Sequence, residues 1–170
     1  SASQGVGSLG GGLARYLAAD GAKLTLADVN ADRAAALAAE LGAQTVASDS
    51  IISVEADIFS PCALGAILTE TSVAGLKVKA VAGGANNQLA TAAQGQQLAD
   101  RGIVYAPDYV INAGGIINVL RHIDNADDTA INARIDTIPG RLHQIWEESE
   151  ASGDTPAQVA DRMAKNLIGR

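Results

Sequence analysis

Apolar residues recur along the chain in two alternating rhythms. Leu9, Leu13 and Leu17 fall four apart and predict a helix over Leu9–Ala19, ended by Gly21. Lys23–Asp28 reads as a short strand that closes on an acid, and Asp32–Leu41 as an alanine-rich helix capped by Gly42. Further strands are expected at Gln44–Ala47, at Ala56–Phe59 before Pro61, at Lys77–Ala82 and at Ile103–Tyr105 before Pro107. Helices are expected within Gly65–Ala74 and over Gln88–Asp100. After Gly115 the strand signals stop. Gly115–Ile123 opens a helix, Ala130–Glu148 carries a long amphipathic pattern broken at Pro139 and Gly140, and Pro156 starts a last helix reaching about Leu167.

This alternation predicts an α/β fold of Rossmann type: a mainly parallel sheet with helices on both faces, plus a helical C-terminal tail. The domain core is expected over residues 1–123 and the helical extension of the same domain over 124–170. Ser1-Ala2-Ser3-Gln4 looks too short and too polar for a buried strand, so the chain is expected to start just after the first strand.

Composition fits one domain with a full core. The 170 residues are 48% hydrophobic, with 18 glycines but only three tyrosines, one tryptophan and one phenylalanine, which suits close packing of helices on a sheet. Twelve basic against 19 acidic residues give a net charge of -7 and no basic patch, which argues against nucleic acid as a partner. Neither a membrane-length apolar run nor a signal-peptide pattern is present, and the single cysteine forms no internal disulfide; a cytoplasmic protein is expected.

The chemistry concentrates in the turn Gly5-Val6-Gly7-Ser8-Leu9-Gly10. In a dinucleotide fingerprint the first glycine makes the tight turn, the second admits the pyrophosphate to the backbone, and the third lets helix and sheet touch. The phosphates then face unpaired N–H groups at the helix start. Asp28 stands 21 residues beyond Gly7, at the end of the next strand, where a carboxylate can accept from ribose hydroxyls and oppose a 2′-phosphate. NAD is therefore favoured over NADP, although Asn30 and Arg33 lie close in sequence. The plainer alternative is that Asp28 caps the next helix.

Three unusual segments follow strands: Pro61–Gly65, Gly83–Asn87 and Pro107–Gly115. Ligands bind beyond the carboxyl ends of strands in such sheets, so each segment is a candidate wall for the cofactor. Asn86 and Asn87 suit a carboxamide or substrate, and suit helix capping equally well. Cys62 has no histidine near it in sequence and reads better as a structural thiol than as a nucleophile. The two histidines, one cysteine and scattered acids show no metal-site spacing.

Taken together, Pro61-Cys-Ala-Leu-Gly-Ala-Ile-Leu68, Val81-Ala-Gly-Gly-Ala-Asn-Asn-Gln-Leu89 and Tyr105-Ala-Pro-Asp-Tyr-Val-Ile-Asn-Ala-Gly-Gly-Ile-Ile-Asn118 resemble the amino acid dehydrogenases acting on glutamate, leucine, phenylalanine and valine. The likeness runs from Gln4 to about Leu167 and is closest to the leucine, valine and phenylalanine branch. It implies NAD-dependent oxidative deamination of an L-amino acid to its 2-oxo acid and ammonia. By the resemblance, Gly5, Gly7, Ser8, Leu9 and Gly10 hold the pyrophosphate, and Asp28 holds the adenosine ribose. Cys62, Ala63 and Leu64 line the cofactor, and Asn86 lies near nicotinamide and substrate. Ile116 and Val119 match positions that face the substrate side chain. Both are apolar, so a glutamate carboxylate would lose hydration without gaining a partner; a branched aliphatic substrate is expected, leucine first, with a valine or phenylalanine enzyme as the alternative.

Members of that family carry a catalytic lysine and an acid–base aspartate on a separate N-terminal domain. The lysines here, Lys23, Lys77, Lys79 and Lys165, fall in no matching motif, and no catalytic residue is assigned. The chain is therefore expected to be the cofactor half of a longer enzyme, inactive alone and homo-oligomeric in its parent. A stand-alone NAD-binding or regulatory module is the rival.

Overall fold

The computed structural model describes residues 1–124 and 126–169. Contacts between Cα atoms divide the chain into two compact units, Ser1–Tyr105 and Ala106–Arg170. The boundary expected at 123/124 lies within the second of these units.

The first unit opens with β1 (Ala2–Gln4), α1 (Ser8–Ala19), β2 (Thr25–Ala27), α2 (Ala31–Leu41) and β3 (Gln44–Thr45). After a 3-10 turn at Ile51–Ser53 come β4 (Ile58–Pro61), α3 (Glu70–Gly75), β5 (Ala80–Val81), α4 (Ala93–Asp100) and β6 (Val104–Tyr105). All six strands are parallel, in the order β3-β2-β1-β4-β5-β6. That is the doubly wound Rossmann order, with helices on both faces of the sheet.

The expected absence of the first strand is corrected by this sheet. Ala2–Gln4 is its central strand: Ala2 pairs with Thr25 on one side and Phe59 on the other, and Gln4 with Ala27 and Pro61. Ala2 and Ser3 are fully buried. Ser3 looked too polar for this position, but small side chains are what a strand flanked by strands and covered by close helices can admit.

Local chemistry sets the helix ends. The Asn30 side chain accepts from Arg33 N–H at the start of α2, and Gly42 ends it in the left-handed conformation at φ 65°. Thr69 and Ser72 cap α3 reciprocally. Val6, Ala14, Leu24, Leu26, Ala34 and Leu37 form the core beneath α1 and α2.

Several boundaries move from expectation. β4 continues through Pro61, which ends the strand and whose carbonyl accepts from Ala85 N–H (2.9 Å). The helix expected from Gln88 starts only at Ala93, because residues 87–90 pair with the 66–68 segment instead.

The second unit is helical: α5 (Asp108–Ile111), α6 (Gly114–Asp124), α7 (Asp128–Ile135), α8 (Ile138–Ser152) and α9 (Pro156–Ile168). Part of the expected Pro107–Gly115 loop is thus the short helix α5. The long amphipathic pattern splits before Pro139, which lies in the first turn of α8, the one place where proline helps a helix. Ile145, Val159 and Ala160 form the buried centre, with Val110 and Met163 against them. Thr155 and Gln158 cap α9 reciprocally. Arg162 joins Glu148 (2.6 Å) and Asp154 across the α8–α9 turn. Among the described residues, no helix is long and apolar enough to cross a membrane.

Candidate functional site

The Gly-rich turn connects β1 to α1, and each of its glycines meets a different demand. Gly5 adopts φ 88°, and a Cβ there would lie 2.7 Å from Ala63 Cβ. At Gly10 a Cβ would lie 1.9 Å from the Gly5 carbonyl oxygen and 3.0 Å from Cys62 Cβ. Those two positions are closed by protein. At Gly7, by contrast, nothing lies within 4 Å of the space a Cβ would take. The middle glycine therefore opens onto empty space in front of the helix, where a pyrophosphate fits. Gly7 also starts α1 with no side-chain cap, and no acid occupies the first turn, an arrangement that suits an anion at the positive end of the helix.

Asp28 follows β2 and bends back toward this turn. Its Oδ2 accepts from Val6 N–H (2.8 Å) and its Oδ1 from Asn30 N–H (2.8 Å), while Arg33 Nη1 stands 4.0 Å from Oδ2. The side chain is 6% exposed. Burial pushes its pKa up, but the two N–H groups and the Arg33 charge outweigh that and hold it below the ordinary carboxylate value. Asp28 is thus kept ionised. Each oxygen spends one acceptor site on the backbone and keeps capacity for a hydroxyl. The helix cap is Asn30 and not Asp28, which answers the plainer reading of that acid.

A cleft of about 380 Å³ lies between these segments. Gly5, Gly7, Asp28, Cys62, Ala63 and Leu64 all line it, bringing together residues up to 59 positions apart in the chain. Gln4, Val29, Arg33, Ser48 and Ile67 complete the walls. Leu64 and Val29 are largely exposed at 79% and 91%, and offer apolar surface to a flat ring. Val29 and Ser48 carried no sequence signal beyond, for Val29, its place after Asp28.

Cys62 continues from β4, its N–H donating to Gln4 C=O (2.7 Å). Burial pushes the thiol pKa up, with the Gly84 backbone and the Ser3 hydroxyl acting weakly the other way. That is the environment of a packing thiol, opposite to what an attacking thiolate needs. Among the described residues, no group of three His, Cys, Asp or Glu side chains is placed to hold a metal ion.

Asn86 stands exposed in the loop after β5. This loop is anchored on several sides. A Cβ at Gly83 would meet the Pro61 carbonyl at 2.3 Å, and one at Gly84 would meet Leu9 Cδ2 at 2.3 Å. Asn87 takes φ 51° and Ala66 φ 54°, and Ala66 N–H donates to Asn87 C=O (2.6 Å). Two strained residues in facing loops thus hold one another. Ile116 and Val119 lie three apart on α6 of the second unit, on one helix face, 66% and 47% exposed.

The parallel order, the open middle glycine and the ionised acid at the end of β2 define a dinucleotide-binding domain. The family model for glutamate/leucine/phenylalanine/valine dehydrogenase matches residues 23–164, and the chain belongs to that family. It is 42% identical over 165 residues to a leucine dehydrogenase of Thermoactinomyces intermedius, covering 97% of this chain and 45% of that protein. A phenylalanine dehydrogenase of Bacillus thermotolerans is 38% identical over 170 residues, with 97% and 44% covered. The crystal structure of L-tryptophan dehydrogenase from Nostoc punctiforme superposes with a TM-score of 0.95 at 38% identity, covering 98% of this chain and 51% of that one. The chain spans about half the length of these relatives. Family and fold together indicate NAD(H) as the cofactor.

Proposed function

We propose that this chain is the cofactor-binding half of an NAD-dependent dehydrogenase that oxidatively deaminates a branched-chain L-amino acid, leucine first, to the 2-oxo acid and ammonia. The observation that carries the reading is the cleft in which Gly7 leaves open space beside a buried, ionised Asp28. The residues fit the cofactor. Gly5, Gly7, Ser8, Leu9 and Gly10 hold its pyrophosphate on the start of α1, and Asp28 receives the adenosine ribose hydroxyls. Cys62, Ala63 and Leu64 form the wall behind it, and Asn86 binds at the nicotinamide end. When bound, NAD supplies the hydride acceptor for the substrate Cα–H bond.

This chain's own part is to bind and orient. Fixed backbone donors at a helix start and a preformed carboxylate need little rearrangement when the cofactor arrives, so binding energy is kept for positioning. The carbonyl-polarising lysine and the acid–base aspartate are proposed to come from a separate domain, which in the active enzyme also repeats as a homo-oligomer. Ile116 and Val119 are proposed to face the substrate side chain. Apolar residues there favour an aliphatic group over a carboxylate.

A second substrate reading has support of its own, because relatives at 38% identity act on phenylalanine and tryptophan by name. Catalytic efficiency of the full-length enzyme on leucine, valine, phenylalanine, tryptophan and glutamate separates the two. Leucine in first place supports the proposal. An aromatic substrate in first place replaces it, and a preference for glutamate overturns the apolar pocket altogether.

A further inference from the structure

Gln88 is fully buried, yet it is a polar side chain one residue beyond the Asn86–Asn87 pair. Its Nε2 donates to two backbone carbonyls of the same loop, Gly83 C=O (2.7 Å) and Ala85 C=O (2.9 Å). A loop five residues long is thereby drawn around one amide from the inside. The same loop is pinned from outside, with Ala85 N–H on Pro61 C=O (2.9 Å) and Ala66 N–H on Asn87 C=O (2.6 Å). Leu68 N–H donates to Gln88 C=O (3.0 Å) and Ala90 N–H to Leu68 C=O (3.0 Å), which zips the chain after the loop to the 66–68 segment. Between these anchors only Asn86 and Asn87 are turned out to solvent.

We propose that Gln88 is a positioning residue for the nicotinamide end of the cofactor, setting where Asn86 stands relative to Cys62 and Leu9. This rests on the reading of the cleft given above. A methionine at position 88 would fill nearly the same volume but donate nothing, leaving two inward carbonyls without their donor. The loop would then relax by turning those carbonyls outward, and Asn86 would move with it. The Gly-rich turn is fixed by bonds of its own, Val6 N–H to Asp28 Oδ2 and Gly5 N–H to Ala27 C=O, so the adenosine and pyrophosphate end would keep its geometry.

The test compares two ligands on the same chain. ADP-ribose carries the adenosine, pyrophosphate and second ribose of NAD+ and lacks only the nicotinamide. Calorimetric titration of wild type and Gln88→Met is expected to show ADP-ribose affinity within about twofold, with NAD+ affinity about tenfold weaker in the variant. Asn86→Ala is expected to reproduce that selective loss, and the double variant to be no weaker than the weaker single one, because both act through one contact. Parallel loss of both ligands in Gln88→Met would reduce Gln88 to a general structural role, and an unchanged NAD+ affinity would remove the role altogether. If wild type binds neither ligand, the reading of the cleft fails before that of Gln88.

Discussion

Val6 N–H donates to Asp28 Oδ2 at 2.8 Å, so the acid at the end of β2 braces the backbone of the Gly-rich turn directly. In the proposed site, one carboxylate therefore both shapes the phosphate-binding turn and offers acceptors to the ribose. Asp28→Asn keeps the size and one acceptor oxygen but loses the charge. NAD+ affinity is expected to fall about tenfold, the scale of one charge-assisted hydrogen bond. NADP+ is expected to lose far less or to gain, because the carboxylate no longer opposes the 2′-phosphate and Arg33 already lines the cleft. Competition titrations with both cofactors check this; equal losses for the two would contradict it.

The same hydrogen bonds make a prediction about pH. Asp28 holds its proton less tightly when folded than its ordinary value of 3.8, despite burial, through Val6, Asn30 and Arg33. A depressed folded pKa stabilises the fold fully above the unfolded value and ceases to do so as pH falls through the lower folded value. The stability advantage of wild type over Asp28→Asn is thus expected to be constant near neutrality and to shrink as pH drops below 3.8. Urea unfolding of both proteins across that range measures it. Asp57 and Glu40, which are also lowered by their partners, cancel in the comparison.

Two glycines of the turn should fail in different ways. Gly10→Ala forces a methyl group against the Gly5 carbonyl, at 1.9 Å before any shift, and is expected to cost about 1–3 kcal/mol of stability as overpacking does. Gly7→Ala meets no protein atom within 4 Å and adopts φ -67°, which alanine tolerates, so its stability should hold. Its methyl group would enter the proposed pyrophosphate space, and NAD+ affinity should drop instead. Thermal unfolding together with cofactor titration resolves the pair; loss of stability in Gly7→Ala with cofactor binding intact would reverse the assignment.

Cys62 is expected to be dispensable for chemistry. Its thiol is pushed toward the protonated form by burial, so alkylation by iodoacetamide should run slower than for a free thiol at the same pH. Cys62→Ala in the full-length enzyme should retain turnover within a few-fold. Complete loss of turnover with the cofactor still bound would restore the nucleophile reading.

The parts of this structure that the sequence revealed are those encoded locally. The turn from Gly5 to Gly10, the helix behind it and the Asn30–Gly42 helix are each marked by residues within one or two turns of their own ends. β1 escaped because three residues containing a serine have no pattern of their own; only β2 and β4 on either side make Ser3 a core position. α5 escaped because proline and asparagine at its ends look like loop. Cys62, Ala63 and Leu64 have no local pattern that marks them beyond the family resemblance, and only the fold brings them to the Gly-rich turn. The Val6–Asp28 bond and the inward Gln88 amide are contacts between a side chain and particular backbone groups, which no periodicity encodes.

Titration of the folded 170-residue chain with NAD+ is the most direct test of the cleft. Saturable binding at one site is expected, competed by ADP-ribose and weakened by both Gly7→Ala and Asp28→Asn, with no turnover of any amino acid by the chain alone. A folded chain that shows no saturable NAD+ binding, or binds it equally well in both variants, would contradict the assignment of this cleft.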